Sequence, residues 1–292
     1  MTSVNIQWFT QDESLWELDW LRYLFSDVQQ HIEIESDPTK IKINENTVLI
    51  CNHAVPYRYV LDELRSKGKR YVIVLLSDEN LMDPCEWLHD PQCLGLMRNY
   101  VHPRQLTNPK VKIFGLGYKR GFCNYLSGDR TKNLQWSFAG TAHGERKQML
   151  DMFSDLKPNR AHLCSGFNAN DGLNTAEYVK LLESSKYALC PPGQDSMDSF
   201  RIYEALEAGC VPVTLNNSLQ FILRPSYWHA VFYGEQKMPF VSEDWWELTC
   251  DAVHEVSSVE YEKYKADCGA LWVKWKTLWK TAATNFYKKL ER

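Results

Sequence analysis

Arg201 and Glu204 stand three residues apart within Tyr187–Leu215, YALCPPGQDSMDSFRIYEALEAGCVPVTL. On a helix, that spacing puts a guanidinium and a carboxylate on one face. Ser196, Met197, Asp198 and Ser199 precede them in a turn rich in N-cap residue types. Backbone N–H groups at a helix N-terminus attract anions, and a carboxylate one turn deeper suits ribose hydroxyls. The pattern can therefore hold a nucleoside diphosphate, with Arg201 and the turn on the phosphates and Glu204 on the ribose. Taken alone, an Arg–Glu pair at this spacing is usually a solvated surface pair. The surrounding elements have to decide between the two.

Those elements have the right form. Tyr187–Cys190 is short and apolar, as a strand covered on both faces would be. Pro191, Pro192 and Gly193 end it. Ile202, Ala205, Leu206 and Gly209 recur at i, i+3, i+4 and i+7, a helix face for packing on a sheet. Val211–Leu215 then re-enters the core. Upstream, Phe138–Arg146 runs from a strand through Gly140 and small residues into a helix start. Such a loop lets a diphosphate approach backbone N–H groups, and Arg146 in the first turn adds charge; the alternative is an ordinary loop with an exposed arginine. Cys164–Asn168 ends another strand. Ser165 and Phe167 there can cradle and stack a nucleobase, or form a glycine turn with a packed phenylalanine.

A transfer reaction at such a site needs a general base. Tyr71–Leu76, the most apolar strand of the first half, runs into Asp78 and Glu79. Val48–Cys51 runs into His53. Asp78 ranks first as the base, with Glu79 and His53 behind it. Loop carboxylates are commonly solvated or helix caps, and a strand-end histidine is commonly a structural hydrogen-bonder.

The whole string resembles the signature of the exostosin-like glycosyltransferases, family forty-seven: C-P-R-G, a short acidic turn, then R-F-W-E-A-L-x-A-G-C-I-P-V. Cys190, Pro191, Gly193, Asp198, Arg201, Glu204, Ala205, Leu206, Ala208, Gly209, Cys210, Pro212 and Val213 match it. Pro192 replaces the signature arginine, and Phe200 replaces the histidine that often precedes Arg201. The resemblance implies a GT-B fold, two Rossmann-like domains facing across a cleft. Here they would be an acceptor-binding domain over 1–125 and a nucleotide-sugar domain over 126–292 with closing helices; Lys119–Asn133 is the linker candidate. It also implies an inverting, metal-independent enzyme moving a sugar from a UDP-sugar to a glycan hydroxyl. Soluble exostosin-like enzymes of large algal viruses, a xylosyltransferase among them, make UDP-xylose the favoured donor and a viral origin an expectation. The two departures also suit a non-catalytic GT-B partner that binds nucleotide without turnover. An epimerase would want a G-x-G-x-x-G near the N-terminus, which is absent, and no lysine context points to a pyridoxal phosphate phosphorylase.

Composition narrows the field. The 292 residues are 44% hydrophobic and 24% charged, an ordinary globular balance. A net charge of −4 gives a nucleic-acid role no electrostatic support. Nine scattered cysteines without a CxxC spacing argue against zinc and redox motifs and suggest free thiols in a reducing compartment. No D-x-D pair occurs; Asp195 and Asp198 are one residue too far apart. No cofactor beyond the UDP-sugar co-substrate is expected. No apolar run reaches spanning length, so the expectation is a soluble, cytoplasmic member or an excised catalytic region. Most of the eleven tryptophans are expected in the core rather than against sugars.

Overall fold

The computed structural model describes residues 4–28, 31–52, 57–129, 131–166, 169–193, 196–216, 227–232, 238 and 240–292. They divide into two compact units.

The first unit is built on a six-stranded parallel sheet. Its strands are β1 (Val4–Phe9), β2 (Glu33–Glu35), β3 (Asn46–Asn52), β4 (Tyr71–Leu76), β5 (Cys93–Arg98) and β6 (Val111–Ile113), in the order β2-β1-β3-β4-β5-β6. β3 and β4, NTVLICN and YVIVLL, are buried almost throughout, because a parallel sheet is covered on both faces. Helices α1 (Leu18–Phe25) and α2 (Arg58–Ser66) supply cover. A helix from Asp12 to Gln30 is expected from periodicity, yet α1 begins only at Leu18. Leu15 has φ +48°, a left-handed backbone that an α-helix cannot contain.

The sequence suggests a strand at Asn99–Val101, but the strand formed is β5, Cys93–Arg98. Gly95 and Arg98 disguise it. A Cβ on Gly95 would lie 1.9 Å from the Phe286 ring, so that ring occupies the place of a side chain. Arg98 is fully buried and ion-paired. Gly95→Ala should therefore destabilise the protein by about 1–3 kcal/mol through overpacking. A thermal melt should show this as a drop of roughly 2–12 °C; an unchanged midpoint would mean that Phe286 yields freely.

The second unit holds a five-stranded parallel sheet ordered β11-β10-β9-β7-β8. Its elements in chain order are β7 (Leu134–Gly140), α3 (Glu145–Met152), β8 (Asn159–Leu163), α4 (Thr175–Glu183), β9 (Ser185–Leu189), α5 (Phe200–Glu207), β10 (Val211–Leu215), α6 (Tyr227–Val231), β11 (Val241–Glu243) and α7 (Trp246–Glu255). β11 was not anticipated. It is three residues long, and pairing with Val213–Leu215 rather than any local pattern defines it. α4 opens with a full capping box between Asn174 and Glu177.

α8 (Ser258–Glu291) is a single 34-residue helix. The division between the units runs through it: Trp275–Arg292 falls in the first unit with Met1–Gly115 and Ala230–Phe232, and the rest of the chain in the second. This differs from a break at 125/126 with every closing helix in the second half. Packing explains the difference. Phe122 stacks on Tyr118 and meets Tyr178 edge-on, and Glu183 accepts bonds from Ser127 N–H, Ser127 Oγ and Gly128 N–H, so the expected linker is part of the second unit. Trp279 packs edge-on against Trp20, and Asn46 Nδ2 donates to the Leu290 carbonyl at 2.8 Å, fixing the helix end to the first sheet. Nine tryptophans lie in the core, among them Trp8, Trp20, Trp275 and Trp279, while Trp245 is exposed. None of the nine cysteines, all of them among the described residues, is in a disulfide. Among the described residues no helix is long and apolar enough to cross a membrane.

Candidate functional site

In a parallel sheet all carboxyl ends lie along one edge, where ligands collect. In the second unit that edge brings together the ends of β7 and β9 and the starts of α3 and α5. Arg201, in the first turn of α5, donates from Nε to the Ala139 carbonyl at 3.1 Å and lies over the Phe138 ring at 5.7 Å. Gly140 has φ +149°, and a Cβ there would sit 2.6 Å from Arg201 Nη2. The glycine thus makes room for the guanidinium. Arg146, in the first turn of α3, donates to the Pro192 carbonyl at 2.9 Å and to Thr141 at 3.4 Å. Burial, and then the charge of Arg201, push the Arg146 pKa down to about 10. Two guanidiniums are thereby held close enough to repel each other, and among the described residues neither is in an ion pair. The sequence placed both in one site, and the structure brings both to one edge.

The turn before α5 is tightly folded. A Cβ on Gly193 would crowd the carbonyls of Ser196 and Asp198 at 3.1 and 3.3 Å. Ser196 Oγ accepts the Asp198 N–H at 3.1 Å, and Asp198 Oδ2 accepts the Tyr203 hydroxyl at 3.0 Å. Met197 is buried beside them. Ser199 is the N-cap residue of α5 with an extended backbone, yet its hydroxyl makes no capping bond and is buried without a partner among the described residues. A buried, unsatisfied hydroxyl at a helix N-terminus is a group in want of an acceptor.

Glu204 is buried, with 2% exposure. Its Oε1 accepts the Lys119 N–H at 3.2 Å, and the Tyr178 hydroxyl also bonds to it. Burial raises its pKa, against the lowering effects of the Lys119 amide and charge and of Arg201. Lys119, Tyr178 and Tyr203 are site residues that sequence reasoning missed. The first two come from distant segments with no spacing signal, whereas Tyr203 lies inside the signature helix. Ser165 follows Cys164, whose N–H donates to the Gly140 carbonyl at 3.2 Å; Ser165 itself is exposed, and its N–H donates to Asp171 Oδ2 at 2.9 Å. Phe167, and Asp195 of the turn, lie outside the described residues.

At the corresponding edge of the first unit, Asp78 is not an accessible base. It is 1% exposed, accepts from Arg98 Nη2 at 2.9 Å, and caps the Met82 and Asp83 N–H groups. Glu79 is half-buried and accepts the Tyr100 hydroxyl at 2.7 Å. His53 lies outside the described residues. His102, not anticipated, accepts the Arg104 N–H on Nδ1 at 3.2 Å. Burial lowers its pKa, with Arg98 adding to the effect, so near neutrality it is uncharged with its proton on Nε2. That tautomer can donate a hydrogen bond but not take a proton at Nε2.

Two parallel α/β sheets in succession, closed by C-terminal helices, define a GT-B fold. A solved α1,3-fucosyltransferase shares it, with a TM-score of 0.52 at 10% identity over 90% of this chain and 82% of that one. Residues 115–225 match the exostosin GT47 domain. A probable glycosyltransferase of Arabidopsis thaliana is 24% identical over 191 residues, 58% of this chain. Exostosin-1 of Drosophila melanogaster is 36% identical over 64 residues, 21% of this chain. The chain spans 38% of the plant protein's length and 8% of the fly protein's.

Proposed function

We propose that this protein transfers a sugar from a UDP-sugar to a hydroxyl of a glycan acceptor with inversion at the anomeric carbon. The observation that carries the proposal is the Arg146–Arg201 pair: two part-buried cations beside the N-terminus of α5, without an ion-pair partner among the described residues. Like charges held together at a sheet edge suit a dianion, and Ser199 adds a buried hydroxyl with no acceptor of its own. In the reaction the acceptor oxygen loses its proton to a base and bonds to the anomeric carbon. The bond from that carbon to the diphosphate oxygen breaks, and UDP leaves with the electron pair. Arg146, Arg201 and the helix N-terminus stabilise the developing charge, which is the basis for proposing that no metal is needed. Lys119 and Tyr178 occupy part of the Glu204 carboxylate, which has about four acceptor sites, so others can serve the ribose hydroxyls. UDP-xylose is the favoured donor.

The test is a panel of nucleotides and UDP-sugars scored by thermal shift and by UDP release, with EDTA present. Stabilisation by UDP together with turnover of one sugar supports the reading. Loss of turnover on chelation would overturn the arginine-based account, and binding without turnover of any sugar would indicate a non-catalytic partner subunit. Glu204→Gln should weaken UDP binding roughly 10- to 150-fold, the scale of losing a hydrogen bond to a charged group; unchanged affinity by titration calorimetry would remove Glu204 from the ribose.

A further inference from the structure

The first unit carries a cleft of about 560 Å³ whose described lining is Arg22, Tyr23, Ser26 and His31. The periodicity of α1 brings three of these together. Leu18, Leu21, Leu24 and Phe25 turn inward and are buried. Arg22, Tyr23 and Ser26, related by three and four residues, therefore share the outer surface. The part of α8 grouped with the first unit adds charge. Lys276 and Lys280 hold their ammonium groups 5.6 and 5.4 Å from the centre of the Tyr23 ring, and Trp20 stacks on the same ring at 5.4 Å with the planes 8° apart. The electron-rich face of a tyrosine attracts such cations.

The neighbouring carboxylates do not neutralise this cluster. Asp27 takes Lys280 at 2.6 Å, while Asp19 reaches the half-exposed Arg22 only at 3.8 Å, and exposed pairs of that kind are weak. None of the described lining residues is a carboxylate. A local positive excess thus surrounds the cleft on a chain whose net charge is −4. Cations near the end of α1 also complement the helix dipole, but that effect is small and confined to the last turn. The carbonyls there are already engaged: that of Tyr23 accepts the Ser26 N–H and Oγ, and that of Phe25 accepts the Val28 N–H. Dipole complementation explains neither the two lysines on one ring nor the open volume beside them.

We propose that this cleft binds a sugar phosphate, with the phosphate on Arg22 and His31 in the field of Lys276, and the sugar in the volume beside Tyr23 and Ser26. A phosphomonoester carries close to two negative charges at neutral pH, which suits several cations better than a single carboxylate does. A guanidinium fork also matches two phosphate oxygens. The volume lies within the range of small-molecule sites, about 300–1,000 Å³, and exceeds what a bare phosphate fills. All these residues belong to the first unit, whereas Arg146 and Arg201 belong to the second, so the proposal does not depend on the glycosyl-transfer reading.

Titration calorimetry on the full-length protein at low salt tests it, with glucose 1-phosphate, inorganic phosphate, glucuronate and glucose as probes. Glucose 1-phosphate should bind about 10-fold more tightly than inorganic phosphate or glucuronate, a step that one or two added hydrogen bonds supply, and glucose should give no heat. Added salt should weaken the binding. Arg22→Gln should weaken it about 10-fold, the lower end for a hydrogen bond to a charged group, with the thermal midpoint unchanged. Lys276→Gln, which removes charge from the surroundings, should weaken it about 2- to 5-fold. Wild-type affinity in Arg22→Gln, or no binding of glucose 1-phosphate at all, overturns the proposal. Equal affinity for inorganic phosphate, glucuronate or glucose overturns the assignment to a sugar phosphate. The Arg146→Ala, Arg201→Ala double variant should bind glucose 1-phosphate as the wild type does; binding that is lost there and kept in Arg22→Gln belongs to the second unit and overturns the proposal while leaving the donor site standing.

Discussion

Arg201→Ala should lower turnover of the donor by about 10²- to 10³-fold, the scale for losing one electrostatic stabiliser of the leaving group. The fold should survive, because Arg201 is part-exposed and gives up one bond to the Ala139 carbonyl and its place over Phe138. UDP affinity should also fall, by about 1.5–3 kcal/mol, the value of a charged hydrogen bond. Arg201→Lys should recover only part of either, since an ammonium lacks the planar fork that meets two phosphate oxygens. Calorimetry with UDP and kinetics of UDP release would measure both effects. Wild-type UDP affinity in Arg201→Ala would dissolve the proposed diphosphate site. Arg146 offers an internal control, because removing Arg201 also removes the like charge that lowers its pKa. Arg146→Ala should therefore be less damaging in the Arg201→Ala background than alone.

Arg98→Met should produce the largest loss of stability. It leaves the Asp78 carboxylate buried without its cation, which costs about 3–5 kcal/mol and corresponds to a fall in midpoint of roughly 6–20 °C. The double variant Arg98→Met, Asp78→Leu removes the orphaned charge and should regain part of the loss. It should not regain all of it, because Asp78 also caps the Met82 and Asp83 amides of a loop with left-handed residues at Leu81 and Cys85. Thermal or denaturant unfolding of the four proteins of this cycle measures the coupling. A single Arg98→Met variant with a wild-type midpoint would show that the pair does not govern these loops.

Most of the proposed donor side was legible in the chain because its parts are local. The strand, turn, helix and strand of Tyr187–Leu215 are continuous, and each signals itself through apolar runs, proline and glycine, or helical periodicity. Gly140 and Arg146 were singled out for the same reason. The partners of Glu204 were not, since Lys119 and Tyr178 reach it from a loop and a helix that nothing in the local sequence connects to it. On the first unit, the loop after β4 was singled out, but its two adjacent carboxylates could not be told apart. Burial separates them, and burial of Asp78 depends on Arg98, itself hidden in a strand that charge and Gly95 made unrecognisable. β11 and the grouping of the C-terminal helix segment with the first unit likewise rest on contacts distant in sequence.

The last seventeen or so positions of α8 have a practical bearing on how this gene can be cut. A fragment that stops after the first sheet's own strands would be born without Trp279, Phe286 and Leu290, and β5 would present a bare glycine notch where an aromatic ring belongs. Its hydrophobic floor would open to water, and insoluble expression would follow. Stitching the terminal helix segment back on through a short spacer, or permuting the termini so that it precedes β1, is the route to studying that half by itself.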